Sequence, residues 1–463
     1  MQPLIDTSYK YGFSKKEKSI YKTKKGISEK VIKDISNYKN EPFWMKKIRL
    51  NAFVIFKRKP MPTWGADLSD INFNEIYYYL KSTKDEKTSW DELPNEIKST
   101  YQALGIPKLE QKYLSGVKAQ YDSEVVYGSL IKNLKEKGVI FLSMDEGLRK
   151  YPNLVKEYFG KLILPSDNKF AALNTSFWSG GSLIYIPKGV KVEMPLQAYF
   201  RINAKRMGQF ERTLIIADEK SFVHYIEGCT SPIYQKESLH AGVVEIYVKK
   251  NARVRYTTIQ NWSNNVYNLV TKRAKVESGG IMEWIDFNSG SRVTMKYPSI
   301  ILAGKKAHGE ILSLAVASKN QNLDTGGKII HAVDKTTSRI ISKSVSLKGG
   351  ISSYRGLVEI LKGSKDSRAK VTCNALILDK LSSAHTFPAM QINEKEVIAE
   401  HEATVSKINE EELFYLRSRG INRLDAETLI VNGFIEPIAK ELPFEYAVEL
   451  NILIRNEMRK KVG

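Results

Sequence analysis

The chain has 463 residues, 42% of them hydrophobic and 27% charged, and a formal net charge of +21. A chain this long buries a large core without covalent staples, and its two cysteines, Cys229 and Cys373, exclude a disulfide framework, a Cys-x-x-Cys pair and a four-thiolate metal or cluster site built from this chain alone. The charge does not by itself indicate nucleic acid: the lysines are scattered and no zinc-finger, helix-turn-helix or RNA-recognition signature accompanies them, so a solvated basic surface is expected.

Residues 1 to 40 are lysine-rich and lack the apolar core of a secretion signal. The longest apolar runs, such as Ile300-Ile-Leu-Ala303, are far too short to span a bilayer. With isolated cysteines this predicts a cytoplasmic protein, or a stromal one if organelle-encoded, with no membrane segment. Residues 1–165 read as mostly helical. Ser28 is a plausible N-cap for a helix carrying Val31, Ile32 and Ile35. Asn40-Glu-Pro42 breaks the chain before a second helix opening at Phe43, and further helices are expected from Ser89 to Tyr101 and from Asp145 to Tyr158.

From about residue 166 to 405 the texture changes to short β-branched and aromatic runs separated by polar turns. Runs beginning at Ser221, Ala252, Ile281, His308, Ser338 and Ser367 start 31, 29, 27, 30 and 29 residues apart. A period near 30 with strands in each unit predicts a β-solenoid, in which stacking covers the apolar face that each unit leaves open. A large β-sandwich is the competing architecture, but its strands rarely keep one spacing through six units. Residues 406–463 return to helical patterning. Asn409 fits an N-cap, Gly420 a stop, Asp425 to Asn432 a short helix closed by Gly433, and Pro443 the first turn of a third helix reaching about Lys460. The apolar stripe Phe444, Ala447, Val448, Ile452 and Leu453 on that helix reads as core or as a docking face.

Within Ile398 to Lys407, Glu400 and Glu402 flank His401. On an extended segment the carboxylates share one face and the imidazole takes the other, and oxygen and nitrogen donors of this kind can hold iron or zinc. The motifs Lys10-Tyr-Gly-Phe13, Lys39-Asn-Glu-Pro42, Tyr199-Phe-Arg-Ile-Asn203, Gly228-Cys-Thr-Ser-Pro232, Gln260-Asn-Trp262, Asn268-Leu-Val-Thr-Lys-Arg273, Ala384-His-Thr-Phe-Pro388, Glu400-His-Glu-Ala-Thr404 and Glu411-Glu-Leu-Phe-Tyr-Leu-Arg417 through Tyr446-Ala-Val-Glu449 resemble the SufB/SufD family of iron–sulfur cluster assembly proteins, in particular its SufB branch. The match is collinear and spans nearly the whole chain.

The resemblance implies a right-handed parallel β-helix between helical ends, acting as a scaffold rather than an enzyme. By it, Cys229, in a turn at a solenoid corner, accepts persulfide sulfur from a sulfurtransferase fed by a cysteine desulfurase. Arg201, Asn203, Gln260, Trp262 and Lys272 map onto a polar sulfur path inside the β-helix, where Arg201 and Lys272 would stabilise a thiolate or persulfide. Glu400, His401 and Glu402 would hold iron and the transient Fe–S cluster, with ligands completed by a partner, before transfer to apo Fe–S proteins. A reduced flavin is a further cofactor the complex could carry. The implied partners are a SufD-like paralogue at the end of the β-helix, or a second copy of the chain, and a SufC-like ABC ATPase on the C-terminal helices. This chain has no Gly-x-x-x-x-Gly-Lys-Ser/Thr loop, so ATP hydrolysis would come from that partner. One departure concerns the cysteine that many relatives carry three residues before the His of Ala-His-Thr-Phe-Pro: here it is Ser382, a poor iron ligand, while Cys373 reads as core. His385, the His of that motif, could orient a ligand or be structural. Two alternatives remain at this stage: a structural SufD-like subunit of the same complex, and a carbohydrate-active β-helix protein, for which no paired carboxylates are visible.

Overall fold

A computed structural model describes residues 19–103, 106–231 and 237–442, with residues 447, 450, 452, 454, 455 and 458 beyond them. Its centre is a parallel β-solenoid of about 8 turns between N-terminal and C-terminal helices. Two long sheets form its walls. One carries, from its C-terminal edge inward, Val397–Lys407, Ser367–Ile377, Thr337–Ser346, His308–Ala317, Ile281–Gly290, Arg253–Trp262, Phe222–Thr230 and Leu196–Arg201. The other carries Ser383–Ile392, Ile351–Ile360, Asn322–His331, Val293–Lys296 with Ser299–Leu302, Val266–Val276, Val243–Val248, Arg212–Ala217 and Ser182–Ile186.

The near-30-residue period has a local cause in the turns. Lys220, Asn251, Lys306, Lys335 and Asp366 each take a left-handed backbone, as Gly279 does in the remaining turn. Successive turns are bonded to each other: the Lys220 N–H donates to the Lys250 carbonyl at 3.0 Å and that of Asn251 to Ser278 at 2.9 Å. The Gly279 N–H donates to Lys305 at 2.9 Å and the Asp366 N–H to Glu396 at 2.8 Å. Each turn therefore templates the next, and adding a residue to one would break two ladders. Inside, alternate residues of facing strands interlock; Tyr225, Tyr256 and Trp284 follow one another through three rungs as tilted rings with centroids 5.0 and 4.9 Å apart.

The expected helices at Glu29–Tyr38 and Phe43–Arg58 form, the first capped by the Ser28 hydroxyl accepting from the Val31 N–H. The helical reading of residues 1–165 misses an antiparallel hairpin, Gly116–Tyr121 with Glu124–Leu130, which extends the first sheet at its N-terminal edge. Ser89 to Tyr101 is a short 3-10 turn followed by a helix starting at Asn95. Asp145 to Tyr158 is two helices, split where Pro152 cannot donate and opens the second as its first residue.

Asn409 caps Glu410–Ser418 by accepting from the Glu411 and Glu412 N–H groups, and Gly420 follows with φ +83°. The next helix is not closed by Gly433: it runs from Arg423 to Ala439. Burial of Val431, Ile435 and Ile438 against Leu312, Leu314, Val345 and Leu376 on the outer face of the first sheet outweighs the roughly 1 kcal/mol helix penalty of a glycine. Leu450, Ile454 and Met458 join that cluster; the helix expected from Pro443, with Phe444, Val448 and Leu453, falls largely outside the described residues, as does Lys10-Tyr-Gly-Phe13. Among the described residues no helix is long and apolar enough to cross a membrane.

Candidate functional site

Cys229 is not in a corner turn. It is the penultimate residue of the strand Phe222–Thr230, buried and facing inward with Tyr225 and Glu227 by the two-residue alternation of a strand. On the opposite face Gly228 makes room for Tyr199: a Cβ there would sit 2.8 Å from that ring. In register across the sheet, Cys229 neighbours Gln260, and Gln260 neighbours Asn288; likewise Glu227 neighbours Thr258, and Thr258 neighbours Asp286. The facing strands contribute Lys272 and Lys296.

The result is a fully buried quartet of alternating charge. The Lys272 ammonium lies 3.6 Å from Glu227 and 3.8 Å from Asp286, and the Lys296 ammonium lies 3.3 Å from Asp286. Lys272 also donates to the Thr258 hydroxyl and sits 4.5 Å from the centroid of the Tyr256 ring, whose hydroxyl donates to Glu227. The Cys229 sulfur is 3.9 Å from Glu227. Burial pushes the Cys229 thiol well above its ordinary pKa, Glu227 and Glu211 push the same way, and Lys272 and Lys296 oppose them, so the resting group is a thiol. Burial pulls Lys296 down to about 8 against the attraction of Asp286. Burial acts to raise Asp286, but Lys296 and Lys272 outweigh it and hold the carboxyl below its usual range.

The Lys296 shift has a measurable sign. Its folded pKa lies below the unfolded value near 10.5, so the unfolded chain binds more protons between those values and stability from this group rises as pH climbs from about 8 to 10.5. Wild type minus Lys296→Met, followed by denaturant unfolding across that range, is expected to show that rise; a flat difference would mean that burial does not lower the Lys296 pKa.

A second set of groups continues the polar interior. Gln260 accepts from Asn268 at 2.7 Å and from the Lys296 ammonium at 3.2 Å. Asn268 also bonds the His240 ring at 2.7 Å, and Glu211 lies on the other side of that ring. Trp262 packs 4.8 Å from His240 between ring centroids. Three buried donors here lack a partner among the described residues: Gln260 Nε2, Trp262 Nε1 and the Asn288 amide. Buried polar groups are normally satisfied, so these donors, beside two buried lysines, are available to bond an anion or water.

Of the residues expected on the sulfur path, Gln260, Trp262 and Lys272 thus gather in the interior with Cys229. Arg201 does not. It lies in register with Thr230, not Cys229, and donates to the Thr230 hydroxyl at 3.0 Å on the opposite face of the strand. The cations that face the thiol are Lys272 and Lys296. Asn203 follows the same strand, its N–H held by Asp122 at 2.6 Å. Glu227, Asp286, Lys296, His240 and Asn288 were not foreseen on this path; the two-residue step back from Cys229 to Glu227 was the available signal.

At the far end, Glu400 and Glu402 lie exposed on the outer face of the last strand of the first sheet, and Glu400 pairs with Lys370 at 3.2 Å. His401 faces inward, its Nε2 3.8 Å from the Cys373 sulfur. The three do not converge, and no group of three His, Cys, Asp or Glu donors able to hold a metal occurs among the described residues. Ser382 is occupied in a turn, donating to Asp379 and accepting from the Gly349 N–H at 2.9 Å, and His385 is exposed. Between the two ends a column runs in register through Glu227, Thr258, Asp286, Ser313, Ser342 and Cys373. Five strand spacings at about 4.8 Å make it roughly 24 Å long. Across from it stand Lys296, Thr325 and Tyr354, themselves in register.

Comparison with known proteins gives two family matches that together span most of the chain. Residues 200–434 match the SUF system FeS cluster assembly, SufBD core domain, and residues 32–198 match the SufBD protein N-terminal region. An iron–sulfur cluster assembly SufBD family protein of Staphylococcus aureus (strain MRSA252) is 54% identical over 455 residues, 98% of each chain. A protein of the same description from Staphylococcus haemolyticus (strain JCSC1435) is also 54% identical, with 98% of each chain covered.

Proposed function

The chain belongs to the SufBD family of iron–sulfur cluster assembly proteins, and from that premise we propose that it is the SufB-type scaffold, which takes up sulfur at Cys229 and passes it along the solenoid interior toward iron. The observation that carries this reading is the placement of Cys229 on a buried quartet of lysines and carboxylates lined with unpartnered donors. Such a lining suits an anionic persulfide or sulfide: Lys272 and Lys296 offset its charge and the Gln260, Trp262 and Asn288 donors offer it hydrogen bonds. Sulfur arrives as the terminal atom of a donor persulfide. The Cys229 sulfur forms the new S–S bond, the donor S–S bond breaks, and the donor leaves as a thiol, so no oxidant is consumed. Arg201 and Asn203 support this path from the other face of its first strand.

Iron, in this reading, is held where the column ends, by His401 inside and by Glu400 and Glu402 on the outer face toward a partner. Oxygen and nitrogen donors bind a sulfide-rich cluster less firmly than thiolates, which suits a protein that hands its cluster to apo-proteins. A reduced flavin finds no support in these groups. Two free cysteines agree with a reducing cytoplasm.

Two surfaces fit the partners. The last strands, Val397–Lys407 and Ser383–Ile392, have outer edges unpaired among the described residues and expose Phe387, Ile392, Ile398 and Val405, an arrangement that a folded protein normally covers. A SufD-like paralogue or a second copy would continue both sheets there. Phe414 and Tyr415, 74% and 57% exposed on the helix Glu410–Ser418, face solvent where a SufC-like ATPase would dock. Phe387→Glu with Ile398→Glu is expected to weaken pairing with the paralogue at least about tenfold in sedimentation analysis while leaving the thermal midpoint of the single chain nearly unchanged. Unaltered pairing would place the partner elsewhere.

The test of the reading is anaerobic incubation of the purified chain with a cysteine desulfurase, its sulfur acceptor protein and cysteine, followed by measurement of sulfane sulfur on the chain. Close to one sulfur per chain is expected. None, alone and again with the partner subunits present, would favour the structural SufD-type role.

A further inference from the structure

We infer that Glu227 is the proton acceptor for Cys229, taking the thiol proton as sulfur is transferred and keeping it inside the solenoid. The inference rests on the scaffold reading of Cys229 and names the group that makes its thiol reactive. Both side chains project inward from the strand Phe222–Thr230, two residues apart, and the Cys229 sulfur donates to Glu227 Oε1 at 3.9 Å. The other carboxylate oxygen, Oε2, accepts from the Tyr256 hydroxyl, which pins the acid with Oε1 toward the sulfur. The Lys272 ammonium lies 3.6 Å from that same Oε1.

The other groups around the thiol are poorly placed for this task. Cys229 is 1% exposed, so bulk water does not reach its proton. Facing it are Tyr225 on its own strand, Tyr256, Lys272, Lys296 and Glu211, with Asp286 and His240 behind them. Tyr225 bonds the Ser182 hydroxyl and Tyr256 already donates to Glu227. Asp286 is turned to Lys272 and Lys296, and Glu211 to the His240 ring. Glu227 is the one carboxylate with an oxygen on the sulfur.

Charge favours the same assignment. At rest two carboxylates face two ammonium groups and the thiol is neutral. A persulfide anion added to that set would leave one buried negative charge without a partner, which is costly. With the proton on Glu227, Asp286 and the persulfide face Lys272 and Lys296, and the balance is kept. In the step itself the thiol proton moves to Glu227 Oε1 and the Cys229 sulfur bonds the terminal sulfur of the donor persulfide. The donor S–S bond breaks, and the donor sulfur leaves with that electron pair and with the proton the terminal sulfur carried. The products are a persulfide anion on Cys229, a neutral Glu227 and the donor thiol, with no oxidant consumed. Burial and Glu227 itself make the resting thiol a weak acid; the transfer is drawn forward because a persulfide anion is a weaker base than a thiolate.

The test is the rate of single-turnover sulfur loading of the whole purified chain from a persulfidated sulfurtransferase. It is followed between about pH 6 and 7.5, below the pKa of about 8 at Lys296. Glu227→Gln keeps the size of the side chain and removes the base. Relative to wild type its rate is expected to be at least about 100-fold lower at the acid end and to recover about tenfold per pH unit, as the thiolate fraction set by solvent replaces transfer to the carboxylate. Both proteins meet the same donor, so the donor's own titration cancels in the ratio. Glu227→Asp keeps the charge of the quartet and withdraws the carboxylate by one methylene group. It should load at least about tenfold more slowly than wild type with the wild-type pH profile. A Glu227→Gln rate equal to wild type, or lower by one constant factor at every pH, would overturn the assignment. Should that variant not fold, Glu227→Asp loading at the wild-type rate would overturn it instead. Wild type that takes up no sulfur sinks the scaffold reading and this inference with it, whereas wild type that loads beside an unimpaired Glu227→Gln removes the inference alone.

Discussion

Cys229→Ala is expected to abolish sulfur loading while the chain stays folded. The substitution removes one buried sulfur atom from the interior, a change on the order of 1 kcal/mol in a solenoid whose rungs are held by continuous ladders. It leaves the lysine–carboxylate quartet and its neutral balance untouched, because the resting Cys229 is a protonated thiol. Loss of function without loss of fold would therefore locate the chemistry on this atom. The measurements are sulfane sulfur per chain after desulfurase treatment and the thermal midpoint of each protein. Undiminished loading would move the acceptor to Cys373, the other free thiol. A large fall in midpoint would instead make Cys229 a packing residue, and the loading result would then say nothing of sulfur.

The solenoid was legible because its cause is periodic. Left-handed turn residues recur at Lys220, Asn251, Gly279, Lys306, Lys335 and Asp366, and the polar letters that tolerate that backbone are the same ones that punctuate the sequence. The hairpin at Gly116–Tyr121 was hidden because it occurs once and pairs with Leu196–Arg201, some 80 positions on. No local pattern carries that partner. The helix through Gly433 was misjudged for a related reason: local propensity favours a stop, and burial of Ile435 and Ile438 on a distant sheet overrides it.

For the site, motif spacing found the strands but not the faces. Arg201 and Cys229 lie in adjacent strands, yet register sets them on opposite sides, so adjacency in a motif map did not become contact. Lys296 was overlooked because it stands outside every quoted motif and reaches the quartet from the opposite wall. Cys373 carried no signal of its own. Only the pairing of Val371 with His401, which sets the imidazole one step along from the sulfur, brings the two together.

The largest stability effect should come from breaking the quartet. Lys272→Met leaves Glu227 and Asp286 buried with Lys296 as their remaining lysine, and loss of one partner from such a network costs about 3–5 kcal/mol. Denaturant unfolding should show that loss in Lys272→Met and a comparable one in Asp286→Leu. The double variant removes one charge of each sign and restores balance between Glu227 and Lys296, so its loss should fall short of the sum by at least about 1 kcal/mol. Additive losses would mean that the four groups do not act as a unit. Sulfur loading then separates structure from function. If the lysine serves only the fold, the double variant should recover loading along with stability. If Lys272 offsets the charge of an incoming persulfide, loading should stay low in a protein that is otherwise sound, and that second outcome is the one the orphaned donors around Gln260 and Asn288 lead us to expect.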